Sequence, residues 1–253
     1  MRDYIISKEA SRENMEGLPE DLDIEMVVFD VDGTLLDFRG FHPELIPLVR
    51  QLEERGIIVS LASGRTLPNI TPIRQALGVS GFIVAENGGV VWDSSEGHEI
   101  RVLADGSRPK QAAEWLATQI DGFDVRGIES NRWRETEWCM IETGMEHQMR
   151  ELLSQTEWSD LLVVSTGFAI HITCPGIDKE AGLRVALQQR GVVPSRVLSC
   201  GDALNDIPMF EYCGYSVTVN SNLSETAEAA DWLTESDGLE GTIELLRALL
   251  EVL

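Results

Sequence analysis

The sequence predicts an α/β fold: a Rossmann-like core built on a parallel sheet, with an inserted α+β cap domain of antiparallel strands and helices. Three observations carry this expectation. Apolar strand-like runs, each closed by a turn of small or acidic residues, recur along the chain and alternate with segments of helical period. The interval between Ser63 and Lys179 is far longer than one crossover needs and carries a strand and helix pattern of its own. A chain of 253 residues with 43% hydrophobic content can also bury a core large enough for one domain and a substantial insertion.

Taken in order, residues 1–22 are polar and charged without an apolar period and read as an N-terminal extension. Residues 23–86 and 175–253 read as the core, and residues 87–174 as the cap. In the core, Ile24 to Phe29 is an apolar strand, Glu44 to Arg55 an amphipathic helix stopped by Gly56, and Ile57 to Ala62 a second, buried strand. Within the cap, strands are expected at Gly89 to Trp92, Trp133 to Glu142, Leu161 to Ser165 and Ala169 to Thr173. Helices are expected from Pro109 to Ile120 and from Glu146 to Gln155. Asp178 is suited to cap a helix running to Arg190, and Val197 to Cys200 and Tyr215 to Val219 complete the parallel set. Turn residues at Gly88 to Gly89 and at Pro175 to Gly176 mark hinges where the cap joins the core.

Chemistry concentrates where these strands end, the edge at which such sheets bind ligands. In Met26-Val-Val-Phe-Asp-Val-Asp-Gly-Thr-Leu-Leu36, Asp30 and Asp32 stand two residues apart, a spacing that places side chains on one side of an extended segment, and Gly33 permits the turn. One carboxylate can attack phosphorus while the other moves the proton. Two anions so close resist joint ionisation, and a bound dication relieves that repulsion. Ser63, at the end of the second strand, can donate to a phosphate oxygen. Lys179 can neutralise phosphate charge from the start of its helix, and it is one of only three lysines beside seventeen arginines. Asp202 and Asp206, four residues apart after another strand and glycine, suit a hard cation held by oxygen. Each segment alone also reads as an ordinary turn, cap or solvated charge; their conjunction and order do not.

Together the four segments resemble the four signatures of the haloacid-dehalogenase-like phosphatase superfamily in the correct chain order. The resemblance implies Asp30 as nucleophile and Mg2+ ligand, and Asp32 as general acid and base that lends its backbone carbonyl to the metal. It further implies Ser63 and Lys179 as the phosphate-binding pair, Asp202 and Asp206 as the remaining acidic metal group, and Asn205 near the phosphate. Substrate choice then falls to the cap. In Asn131-Arg-Trp-Arg-Glu135, Arg132 and Arg134 can face one way if the stretch is extended and grip a carboxylate, or can simply pair with acidic neighbours such as Glu135 and Glu137 on an exposed strand. This stretch, with Ala85-Glu-Asn-Gly-Gly89 and His171, is similar to the archaeal-type phosphoglycolate phosphatases from about Ile24 to the C-terminus. That family implies Mg2+-dependent hydrolysis of 2-phosphoglycolate, a small phosphorylated carboxylic acid, to glycolate and phosphate.

A net charge of −23 argues against nucleic acid or an anionic membrane as partner and calls for a local positive funnel from Mg2+, Lys179, Arg65, Arg132 and Arg134. Cys139, Cys174, Cys200 and Cys213 show neither paired metal spacing nor a secreted framework and read as buried thiols of a cytoplasmic protein. No segment approaches a membrane span in length. Monomer and homodimer both stay open. Two other functions remain: a phosphatase for sucrose phosphate, mannosyl-3-phosphoglycerate or other sugar phosphates, with Trp133 and Trp138 as sugar platforms, and a non-catalytic phospho-ligand binder, against which the intact Asp30 and Asp32 stand.

Overall fold

A computed structural model describes residues 17–166 and 169–253. The extension expected over 1–22 therefore lies, up to residue 16, outside the described residues. In chain order the first elements are β1 (Met26–Phe29), α1 (Leu45–Glu54), β2 (Ile58–Ala62), α2 (Leu67–Leu77), β3 (Ile83–Ala85), β4 (Val90–Trp92), β5 (Ile100–Val102) and α3 (Ser107–Leu116). There follow β6 (Glu137–Ile141), α4 (Glu146–Leu153), β7 (Leu162–Ser165), β8 (Ala169–Thr173) and α5 (Lys179–Arg190). The chain closes with β9 (Val197–Gly201), α6 (Ile207–Tyr212), β10 (Tyr215–Thr218), α7 (Ser224–Ala229), β11 (Trp232–Leu233) and α8 (Gly238–Val252). Contacts divide it into two units, residues up to 59 with 77–79 and 193–253, and residues 60–76 with 80–192.

In the first unit β1, β9, β10 and β11 form a parallel array in the order β11-β10-β9-β1, with Met26 opposite Val197 and Tyr215 opposite Leu198. Strands this apolar are buried on both faces, as parallel sheets require. Helices α1 and α8 pack on one another, and the Arg55 guanidinium donates to the Leu250 carbonyl. Thr242 Oγ1 on α8 donates to the Thr34 carbonyl (2.7 Å), which ties that helix to the loop after β1.

In the second unit the end of β2 pairs in parallel with β3, whereas β4 and β5 run antiparallel. The strand expected at Gly89 to Trp92 is present, shortened to Val90–Trp92, and its partner is β3. Between them Glu86 and Asn87 both take φ near 52°, the left-handed region. A separate three-stranded antiparallel sheet, β6-β8-β7, carries α3 and α4 on one face, where Leu116, Met140, Met149, Ile170 and Ile172 share an apolar cluster. Helix α5 starts as the sequence predicts, with Asp178 Oδ1 accepting from the Ala181 N–H at 2.9 Å. The expected strand from Trp133 to Glu142 shortens to Glu137–Ile141, because Glu129–Trp133 curls into a 3-10 turn.

Candidate active site

The first unit assembles the acidic half of the predicted site. Asp30 follows β1 directly, and its backbone N–H donates to the Cys200 carbonyl (2.8 Å), so the ladder with β9 extends one residue beyond the strand. Asp202 follows β9 on the neighbouring strand. Carboxylate oxygens of Asp30, Asp202 and Asp206 lie within 4.8 Å of one another, with Asp30 and Asp206 buried. Asp206 is also bound into its own turn: its Oδ2 accepts from the N–H groups of Asp202 (3.0 Å) and Ala203 (2.9 Å). Thr34 Oγ1 donates to Asp202 Oδ1 at 3.2 Å. Gly33 is required here twice over, since its φ is +85° and a Cβ would stand 2.2 Å from Asp202 Oδ2. Asp32, half-buried in the loop of residues 31–36, does not belong to the three-carboxylate group. Its loop is closed by the Val31 carbonyl, which accepts from the N–H groups of Leu35 and Leu36. Asn205 sits in the 3-10 turn Leu204–Asp206.

Three carboxylates at this range repel one another, and burial raises the cost of each charge. A hard divalent cation held by oxygen donors is the group that such a set fits, and the glycine cradle opposite Asp202 keeps it open.

The second unit holds Ser63, Lys179, Arg132 and Arg134. Ser63 is buried just past β2, its N–H donating to the Val84 carbonyl (2.9 Å). Lys179 opens α5 with 0% exposure, in keeping with the reading that this lysine is no surface filler. A Cβ on Gly88 would lie 1.7 Å from the Asp178 carbonyl, so the Glu86 to Gly89 turn is pressed against the start of α5.

The arginine pair departs from expectation. Asn131 is the cause: its Oδ1 accepts from the Cys139 N–H (3.0 Å), and its Nδ2 donates to the carbonyls of Cys139 (2.7 Å) and Arg126 (3.0 Å). That lattice curls the chain instead of extending it, so Arg132 and Arg134 do not share a face. Arg132 is 60% exposed, paired with Glu129 and lying over Trp133. The Arg134 side chain is 3% exposed, ion-paired through Nη1 to Glu137 and bonded to the Gly64 carbonyl (3.1 Å).

Glu137, His171, Asn87 and Glu86 complete this network. Glu137 Oε2 lies 2.9 Å from His171 Nδ1 and 3.4 Å from Asn87 Nδ2. Burial alone would raise the Glu137 carboxyl, but His171 and Arg134 outweigh it and bring it down to about 2. Glu86 accepts from the Glu135 N–H (3.0 Å) and from the N–H and hydroxyl of Thr136 (both 2.9 Å); burial nevertheless holds its carboxyl above the usual range. Glu137, Cys139 and His171 also present ligand atoms within 4.8 Å of one another, but Arg134 already supplies positive charge there and burial pushes the Cys139 thiol well up, so we read a hydrogen-bonded cluster. In the sequence this face is signalled by the alternation Glu137, Cys139, Ile141 and by the resemblance that includes His171.

A depressed carboxyl stabilises the fold fully above its ordinary value and loses that contribution as pH falls through its folded value. Wild-type protein should therefore lose stability between pH 4.5 and about 2 in excess of Glu137→Gln, as followed by thermal melts across that range. Parallel curves would contradict the ion-pair assignment.

Comparisons with known proteins identify the family. The family model described as haloacid dehalogenase-like hydrolase matches residues 27–119 and 134–246. A phosphoglycolate phosphatase of Haloarcula marismortui is 34% identical over 88% of this chain and 96% of its own length. Bacillus subtilis YcsE, a 5-amino-6-(5-phospho-D-ribitylamino)uracil phosphatase, is 26% identical over 90% and 96%. Among solved structures, Thermoplasma acidophilum 0175 superposes with a TM-score of 0.79 at 23% identity, covering 91% of this chain and all of its own. The chain is thus a hydrolase, a member of the haloacid dehalogenase-like family. Its relatives mark it as a phosphatase of that family.

Proposed function

We propose that this phosphatase hydrolyses 2-phosphoglycolate to glycolate and phosphate through an aspartyl-phosphate on Asp30. The observation that carries the reaction is the convergence of Asp30, Asp202 and Asp206 at the ends of adjacent parallel strands. Asp30 attacks phosphorus as the bond from phosphorus to the glycolate oxygen breaks, and Asp32 gives that oxygen its proton. Asp32 then takes a proton from water as the water attacks phosphorus, which releases phosphate and restores Asp30. Ser63, Lys179 and Asn205 bind the phosphoryl oxygens and offset their charge. Asp30, Asp202, Asp206 and the Asp32 carbonyl would hold Mg2+, which when bound offsets charge on the transferring group. Residues 87–174 act as the cap that selects the substrate, with the buried Arg134, in place of an Arg132 and Arg134 pair, facing the carboxylate. Phosphoglycolate phosphatases among the relatives support this substrate. The acidic composition and buried cysteine thiols suit the cytoplasm, and among the described residues no helix is long and apolar enough to cross a membrane.

A phosphorylated sugar or polyol is the competing substrate, favoured by the likeness to YcsE. A panel of phosphate monoesters assayed with Mg2+ and after EDTA treatment decides. Phosphoglycolate should lead, and EDTA should abolish turnover until Mg2+ is restored. Sugar phosphates ahead by more than about tenfold in kcat/KM, about 1.4 kcal/mol of transition-state preference, would overturn the assignment.

A further inference from the structure

The cap sheet has one face in its apolar cluster, through Met140, Ile170 and Ile172, and another that carries polar groups. Register places Glu137 opposite Thr173 and Cys139 opposite His171, so these four side chains share that second face. Arg134 reaches it from the preceding turn. Its hydrogen bonds are unevenly spread. Nη1 serves both Glu137 and the Gly64 carbonyl, Nη2 meets Ser130 Oγ at 3.5 Å, and Nε has no partner among the described residues. Thr173 Oγ1, next to Glu137 across the strands, is likewise buried without a partner. Such a group destabilises the fold if left unsatisfied, and so demands an explanation.

We propose that these groups form the subsite for the carboxylate of the substrate: the Nε and Nη2 edge of Arg134 donates two parallel N–H groups to it, and the Thr173 hydroxyl donates a third hydrogen bond. That edge of a guanidinium has the fork geometry a carboxylate accepts, which a lysine lacks. Glu137 and His171 are positioning residues. Glu137 takes the opposite side of the guanidinium, and His171 and Asn87 hold Glu137. The charges of Glu137 and Glu86 both act on Arg134, so recognition depends on hydrogen-bond geometry rather than on a net positive field. The bond from Arg134 to Gly64 also fixes the guanidinium beside the residue that follows Ser63. This inference rests on the phosphoglycolate reading.

The test is the ratio of kcat/KM for 2-phosphoglycolate to that for ethyl phosphate, which lacks the carboxylate, measured on the full chain with Mg2+. Thr173→Val, Arg134→Lys and Glu137→Gln should each lower the ratio by about tenfold or more. Both substrates are assayed on one preparation, so a partly unfolded variant changes each rate alike and leaves the ratio untouched. Thr173→Val, close to the native side chain in shape, supplies the answer if the charged variants fail to fold. A wild-type preference for phosphoglycolate that all folded variants retain would overturn the subsite alone. A wild-type ratio near one would overturn the substrate reading, and the subsite with it.

Discussion

Asp30→Asn should abolish turnover, by about four orders of magnitude or more, while the protein stays folded. The substitution keeps the shape of the side chain and removes the anion proposed to attack phosphorus. The backbone hydrogen bond that joins residue 30 to Cys200 does not involve the carboxylate and survives. Stability should hold or rise, because the carboxylates of Asp30, Asp202 and Asp206 lie within 4.8 Å of one another and one negative charge is withdrawn from the group. Circular dichroism melts beside a phosphatase assay read both effects. A variant that melts like the wild type and still turns over would remove Asp30 from the reaction.

The largest effect on stability should come from Arg134→Met, at about 3–5 kcal/mol, since it strands Glu137 as a buried charge without its guanidinium. Arg132→Met is the matched control two residues away. Its partner Glu129 is exposed, as is Arg132 itself, so the cost should fall within about 1 kcal/mol. Urea unfolding of both variants gives the comparison. Equal, small losses would show that Arg134 is as solvated as its neighbour and would undo the description of the network.

These two arginines also mark where the sequence stops being readable. The fold class and the acidic group are written in local patterns: an apolar strand, then a glycine or carboxylate, then a turn. Asp30 and Asp202 reach the same edge because their strands are parallel and adjacent, which alternation with helices already implies. The cap of α5 by Asp178 is equally local. The stretch Asn131 to Glu135 is different, because its shape is set by contacts eight residues on, where the Asn131 amide binds both backbone groups of Cys139. Nothing near Asn131 announces that distant pairing. Glu137 illustrates a second limit. The sequence offers it as an acidic neighbour for the arginines, and it does pair with Arg134, but burial turns an ordinary surface contact into the centre of a network with His171 and Asn87. Period-two alternation puts Glu137 and Cys139 on one face without saying what covers that face. Glu86 is still less legible, since its role lies in backbone groups of Glu135 and Thr136 some fifty residues away.

In the proposed reaction phosphate passes through Asp30, and the acyl phosphate can be caught there. Enzyme quenched during turnover of 2-phosphoglycolate and reduced with borohydride should carry the reduced side chain at residue 30 when its peptides are sequenced by mass spectrometry. Reduction at another carboxylate, or at none while product forms at the normal rate, would contradict it.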